Sequence, residues 1–323
     1  MSVQDQLPLG SPFDATSTAD EVMNGIDLTG HTALVTGGSS GLGVETARSL
    51  AAAGARVIVL SRRASLPDGA WSDRGQVEVI GGVDLSDLGS LARLSDRIAA
   101  VASDGIDLVI AAAGVMATPL HRVGPGWEYQ FTVNHLGHFS LVSRLYRLLA
   151  QRGARVVVYS SAGHHSSDIR WDDLHFLRGY DKWEAYGQSK TANSLFAVHL
   201  DRLGAGDGVR AFALHPGKII TGLQRDLPRS EQVELGWIDP YGKIIGDDFK
   251  TSEQGAATGL WAATAPALDG RGGLYLEDCD VTHVAEPGDS IDDGGVKPYA
   301  IDAASAERLW QLTAAITATD LPR

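Results

Sequence analysis

The residues best able to do chemistry are a phenol and an ammonium set one helical turn apart. In Tyr186-Gly187-Gln188-Ser189-Lys190 the first and last positions share one face of a helix, because i and i+4 are neighbours there. A phenol with a pKa of ~10 is a poor acid–base group at neutral pH. A lysine cation beside it favours the phenolate and lowers that pKa. The pair could then give a proton to a carbonyl oxygen or take one from an alcohol. Tyr and Lys at this spacing also recur as solvated pairs on helix surfaces. What lends this pair weight is the company it keeps.

Near the start of the chain stands Thr36-Gly37-Gly38-Ser39-Ser40-Gly41-Leu42-Gly43, between an apolar run and the helical pattern that opens at Val44. Glycines there let the backbone turn tightly and approach a pyrophosphate, whose charge is met by free N–H groups at a helix N-terminus. The bland alternative is a glycine-rich turn without a ligand. The end of the second apolar run, Leu60-Ser61-Arg62-Arg63, has no acid to bind the adenine ribose hydroxyls of NAD. Ser61 could donate to a 2′-phosphate and Arg62 could pair with it through its planar fork, which points to NADP(H). The alternative is that Arg62 and Arg63 are solvated loop charges. With such a dinucleotide bound, its positive nicotinamide ring would further favour the Tyr186 phenolate, and its C4 would exchange hydride.

These groups must be positioned by alternating strands and helices. Short β-branched runs at 32–36, 56–60, 77–80, 108–111, 155–159, 209–214 and 274–276 alternate with amphipathic segments at 42–53, 88–102, 127–150, 182–203 and 253–263. Right-handed crossovers on this series predict an α/β fold: one doubly wound parallel sheet in a three-layer α/β/α Rossmann arrangement. Residues 1–29 read as an N-terminal arm and a short helix capped by the hydroxyls of Thr16, Ser17 or Thr18, and residues 30–323 as a single catalytic domain. A long segment around 222–250, holding Trp237, Tyr241 and Phe249, reads as a substrate lid. A further amphipathic helix is expected near 305–318.

Composition excludes several classes. A net charge of −13 argues against nucleic acid, whose binding needs clustered Lys and Arg. No stretch reaches the ~20 apolar residues of a membrane span, and residues 1–10 lack the basic and apolar regions of a signal peptide, so a cytoplasmic location is expected. The single cysteine, Cys279, sits among acids and reads as an inert thiol. The ten histidines, including His135, His138, His164 and His165, have no Cys or acid at ligand spacing, so no metal is expected.

Taken in order, the motifs resemble those of the short-chain dehydrogenase/reductase family over residues 30–280. Residues 36–43 match its glycine loop, and Val83-Asp84-Leu85 resembles the segment beside the adenine ring. Asn134, within Asn134-His135-Leu136-Gly137-His138-Phe139, matches the helix asparagine that positions the lysine through a water. Ser161 matches the substrate-orienting serine, Tyr186 and Lys190 the acid–base tyrosine and its lysine, and His215-Pro216-Gly217 with Ile219 and Thr221 the segment that seats the nicotinamide carboxamide. Within the family, the Asn-His-Leu-Gly-His-Phe run and the His-Pro-Gly turn look most like the branch of retinol dehydrogenases and the WW-domain oxidoreductase. Where the family usually carries Asn-Asn-Ala-Gly, this chain has Ala111-Ala112-Ala113-Gly114. Those amides mostly stabilise the sheet, so the chemistry is expected to survive.

The resemblance implies an NADP(H)-dependent oxidoreductase that moves hydride between nicotinamide and an apolar carbonyl or alcohol, with Asn134, Ser161, Tyr186 and Lys190 catalytic. The cofactor would rest on Gly37, Ser39, Ser40, Gly41, Leu42, Gly43, Ser61, Arg62, Asp84, Leu85, Ala112, Gly114, Tyr186, Lys190, Pro216, Gly217, Ile219 and Thr221. Dimers or tetramers would form through helices 127–150 and 182–203. The alternatives left open are a catalytically silent NADP(H)-sensing regulator and a reductase of carbon–carbon double bonds on the same fold.

Overall fold

The computed structural model describes residues 6–63, 77–246 and 248–322. In chain order the elements are α1 (Ala19–Met23), β1 (Thr32–Thr36), α2 (Gly41–Ala52), β2 (Arg56–Leu60), β3 (Val77–Ile80), α3 (Leu91–Val101) and β4 (Leu108–Ala111), then a small hairpin of β5 (Arg122–Val123) and β6 (Trp127–Glu128). There follow α4 (Tyr129–Phe131), a π-helical turn (Thr132–Leu136), α5 (Gly137–Ala150), β7 (Arg155–Tyr159), α6 (Lys182–Gly204), β8 (Arg210–His215), α7 (Arg229–Glu234), α8 (Ser252–Thr264), β9 (Leu274–Glu277), β10 (Asp280–Val281) and α9 (Ala303–Thr317).

Eight strands form one sheet in the order β10-β9-β8-β7-β4-β1-β2-β3, parallel throughout except for the antiparallel edge strand β10. Side chains alternate across the pleat. Leu34, Ile58, Val109 and Val156 therefore face the layer of α3, α5 and α6, while Ala33, Val35, Val57, Val59 and Ile110 face that of α1, α2 and α8. With both faces covered, the strands read as near-continuous apolar runs. The order reverses between β1 and β4, which opens a crevice at the carboxyl ends of the strands. The expected three-layer, doubly wound fold is what forms.

The expected helix over 127–150 is instead three pieces. The carboxylate of buried Glu128 accepts the N–H groups of Gln130 and Phe131, so the helix begins only at Tyr129. The following π-helical turn holds one wider loop of backbone at Thr132–Leu136, a feature frequent at functional sites. The expected helix at 88–102 starts at Leu91, and the hairpin and β10 had no counterpart in the sequence reading.

Residues 6–18 lie against the body of the fold. Buried Gln6 brackets Tyr275, donating to its carbonyl at 2.6 Å and accepting its N–H at 3.0 Å. The N–H groups of Leu9, Gly10 and Ser11 converge on the Asp280 carboxylate. The arm thus covers part of the sheet edge, a surface otherwise open to strand pairing. Thr18, one of the three expected caps, closes a capping box with Glu21 at the start of α1. At the other end of the chain, α9 packs on α5 and α6, with Trp310 stacked on Phe196 and edge-on to Phe139.

Candidate active site

The crevice is a cleft of about 1140 Å³ lined by the glycine loop, the ends of the central strands and residues from the 222–250 segment. Every residue expected at the site lines it except Asn134, which sits behind the wall. At its nucleotide end, β1 hands over to α2 through a loop that only glycine can close. A Cβ on Gly43 would meet the carbonyl oxygen of Gly37. Ser40 makes no side-chain bond across the start of α2, so the first N–H groups of the helix face the cleft, where the dipole favours an anion. Ser39 and Ser61 share a 2.6 Å hydrogen bond, and the Ser61 hydroxyl also accepts the N–H of Arg63 at 3.0 Å. Arg62, Asp84 and Leu85 complete this end. These residues fit a nicotinamide dinucleotide: a glycine cradle that a Cβ would fill, uncapped donors for phosphates, and no acid at 61–63.

At the other end, α6 begins at Asp181, whose carboxylate accepts the N–H groups of Trp183 and Glu184. The helix carries Tyr186 and Lys190 into the protein, where both are about 5 % exposed. The Lys190 ammonium lies 5.5 Å from the centre of the Tyr186 ring and donates to the carbonyl of Tyr159 at 3.0 Å. Ser161 N-caps a short 3-10 turn, Ala162–Ser166, and accepts the N–H of Gly163 at 3.0 Å. That turn presses on the phenol. A Cβ on Gly163 would stand 2.7 Å from a Tyr186 ring carbon.

Burial governs the titration of the pair. It pushes the Tyr186 phenol up to about 12, with contact to the Ser161 hydroxyl acting in the opposite direction. It pulls Lys190 down to about 8. The expected lowering of the tyrosine pKa by the lysine is therefore not produced by the chain's own groups, because removing the phenolate from water outweighs a cation 5.5 Å from the ring.

Asn134 sits in the π-helical turn. Its Oδ1 accepts the N–H of Val115 at 2.9 Å, and its Nδ2 donates to the carbonyl of Val115 at 3.0 Å and to the Ser189 hydroxyl at 2.9 Å. It thereby ties the end of the β4 segment to α6. Nearby, Thr36 Oγ1 accepts the N–H of Ala113 at 3.0 Å and pairs with His138 Nε2 at 2.9 Å, while His138 Nδ1 pairs with the carbonyl of Asn134 at 2.9 Å. A threonine and a histidine thus brace the segment where the family's asparagines stand. The i, i+4 spacing of Asn134 and His138 was the available signal.

Two of the three lid aromatics expected near the cleft line it, Trp237 and Phe249. Tyr241 is 91 % exposed, its backbone held outward by the Asp239 carboxylate. Trp237 meets Trp183 edge-on, and these rings pack with Met116, Leu223 and Leu227 beside Tyr186. His215, which opens the expected nicotinamide segment, lines the cleft, and so do Lys250 and Glu277, which had no place in the sequence expectations. Among the described residues no group of three His, Cys, Asp or Glu side chains is placed to hold a metal, and no helix is long and apolar enough to cross a membrane.

The profile of the short chain dehydrogenase family matches residues 31–232. The chain belongs to that family. Among its relatives, the "probable oxidoreductase" of Streptomyces lividans is 42 % identical over 295 residues, covering 88 % of this chain and 97 % of the relative. Human retinol dehydrogenase 12 is 34 % identical over 294 residues, 89 % of this chain and 86 % of the enzyme, in keeping with the resemblance to that branch. An uncharacterized protein from Mycobacterium paratuberculosis superposes with a TM-score of 0.71 at 32 % identity, covering 95 % of this chain and all of that one. The RhlG/NADP complex of Pseudomonas aeruginosa matches with a TM-score of 0.57 at 25 % identity, over 78 % of this chain and 95 % of that one. This short-chain dehydrogenase is therefore an oxidoreductase by family, with Tyr186 and Lys190 lining one cleft.

Proposed function

We propose that this enzyme is an NADP(H)-dependent reductase or dehydrogenase acting on a carbonyl or alcohol with an apolar body. The observation that carries the reading is the convergence of Ser161, Tyr186 and Lys190 on the same cleft as the uncapped α2 N-terminus and the Ser61–Arg62 pair. The dinucleotide, when bound, supplies or accepts the hydride. Gly37 to Gly43 would hold its pyrophosphate, Arg62 and Ser61 its 2′-phosphate, Asp84 and Leu85 its adenine end, and Pro216, Gly217, Ile219 and Thr221 its nicotinamide end. The NADP named for the RhlG complex agrees with that choice.

On the chain's side, Ser161 and the Tyr186 phenol hold the substrate oxygen. A phenol kept protonated by burial is ready to donate to that oxygen as negative charge develops there. Lys190, held between Tyr159 and the phenol ring, then stands next to the phenolate and stabilises it. Asn134 fixes the position of α6 through Ser189. The apolar wall of Met116, Trp183, Leu223 and Trp237 accepts the substrate's body and sheds water from it, and residues 222–250 act as the lid. Assembly through α5 and α6 would have to use faces that α9 leaves open, which light scattering decides.

Fluorescence titration with NADPH and NADH, followed by NADPH oxidation against aldehydes, ketones and quinones, tests the reading. Tight NADPH binding with carbonyl-driven oxidation is the expected result. Binding without turnover would favour a sensing role, and failure to bind either nucleotide would remove the argument at the glycine loop.

A further inference from the structure

Strands β8 and β9 end on two side chains that no contact among the described residues completes. His215 and Glu277 are register partners in the parallel pair and both line the cleft. His215 Nδ1 accepts the N–H of Ala162 at 3.1 Å, which leaves the proton of the neutral ring on Nε2. That Nε2–H lies 3.9 Å from Glu277 Oε1, beyond hydrogen-bond reach. The other carboxylate oxygen, Oε2, is occupied by the Thr282 hydroxyl at 3.2 Å and the N–H of Gly295 at 3.1 Å. The neighbouring charge, Lys250, is paired with Asp278 at 2.5 Å. A donor and an acceptor thus stand side by side on the cavity wall. Through Ala162 they are one residue from Ser161.

One hydroxyl set against that wall could accept from Nε2–H and donate to Oε1 at once. A carbonyl would satisfy the histidine alone and face the carboxylate with its own lone pairs. An ammonium would satisfy the carboxylate and meet the imidazole N–H. We propose that His215 and Glu277 form a subsite for a hydroxyl group of the substrate close to its reacting carbon, so that the cleft selects hydroxy-carbonyl compounds over plain ones. The reaction it would serve rests on the function proposed above; the binding preference does not.

Benzoin, deoxybenzoin and benzil share one apolar skeleton and carry, beside a ketone, a hydroxyl, nothing and a second carbonyl. The chain is expected to favour benzoin over deoxybenzoin by about tenfold, both in Kd by calorimetry, with and without NADP+, and in kcat/KM with NADPH. Glu277→Gln keeps an oxygen for Thr282 and Gly295 but turns an amide N–H toward the cleft. Its thermal midpoint should stay near that of the unaltered chain while its preference passes from benzoin to benzil. Equal affinities for benzoin and deoxybenzoin, or no binding of either, overturn the subsite. So does a Glu277→Gln chain that keeps the benzoin preference but binds NADPH about tenfold more weakly, which would assign the pair to the nicotinamide carboxamide. Selective benzoin binding with no NADPH oxidation by any carbonyl compound would leave the subsite standing and remove the reductase reading.

Discussion

The ammonium of Lys190 donates to the carbonyl oxygen of Tyr159 at 3.0 Å, an acceptor that the Asn193 amide also reaches at 3.0 Å. Removing the lysine therefore leaves that carbonyl satisfied. Burial holds Lys190 at about 8 in the folded protein against ~10.4 for a free lysine. Between those values the unfolded chain binds more protons, so this group makes stability rise with pH there, and its full cost is felt below about pH 8. Lys190→Met should raise the thermal midpoint at pH 7 by about 2–4 °C and abolish turnover. The gain should shrink toward pH 10. A lower midpoint at pH 7 would show that the ammonium contributes more through its contacts than burial costs.

Tyr186→Phe removes the only proton donor assigned to the substrate oxygen while keeping the ring that packs against Gly163. Turnover should fall by about 10²–10⁴-fold, with NADPH affinity held within a few-fold. Steady-state rates beside fluorescence titration check this, and retained full activity would remove the assigned role.

Arg62→Asp places a carboxylate where a 2′-phosphate is expected. The NADPH/NADH efficiency ratio should drop by on the order of tenfold or more through lost pairing and new repulsion. An unchanged ratio would show that Arg62 does not read the phosphate.

Burial keeps four histidines neutral: His135 and His164 are pulled down to about 3, and His138 and His215 to about 4. Each folded value lies below the ~6.5 of an unfolded histidine, so the unfolded chain takes up more protons as pH falls from about 6.5 to about 4. Stability should drop steeply across that window, by up to about 1.4 kcal/mol per pH unit for each histidine. Urea midpoints at pH 7, 6 and 5 measure it, and a His135→Leu chain should show a shallower slope. Flat midpoints would mean that these rings are protonated in the folded state.

The fold was legible because its signals are local. Runs such as Thr32–Thr36 and Arg155–Tyr159 announce strands buried on both faces, and the 3.6-residue period announces the helices between them. The 127–150 segment misled for an equally physical reason. Its hydrophobic period runs on unbroken, while the decision to start at Tyr129 belongs to the Glu128 carboxylate and the π-helical turn to contacts of Asn134 with Val115 and Ser189. Tyr241 shares an aromatic character with Trp237, and only the turn at Asp239 sends it outward.

From residue order alone come the glycine loop, the absence of an acid at 61–63, the helical spacing of Tyr186 and Lys190, and the family they identify, since each depends on neighbours within a few positions. Tertiary structure decides what lies beyond that range. It docks Gln6 onto Tyr275, 269 positions away, and brings His215 beside Glu277 across a strand register. It also buries Tyr186 until its phenol holds its proton more tightly than a free one. Solvent exclusion and long-range approach depend on the path of the whole chain, and no local pattern encodes them.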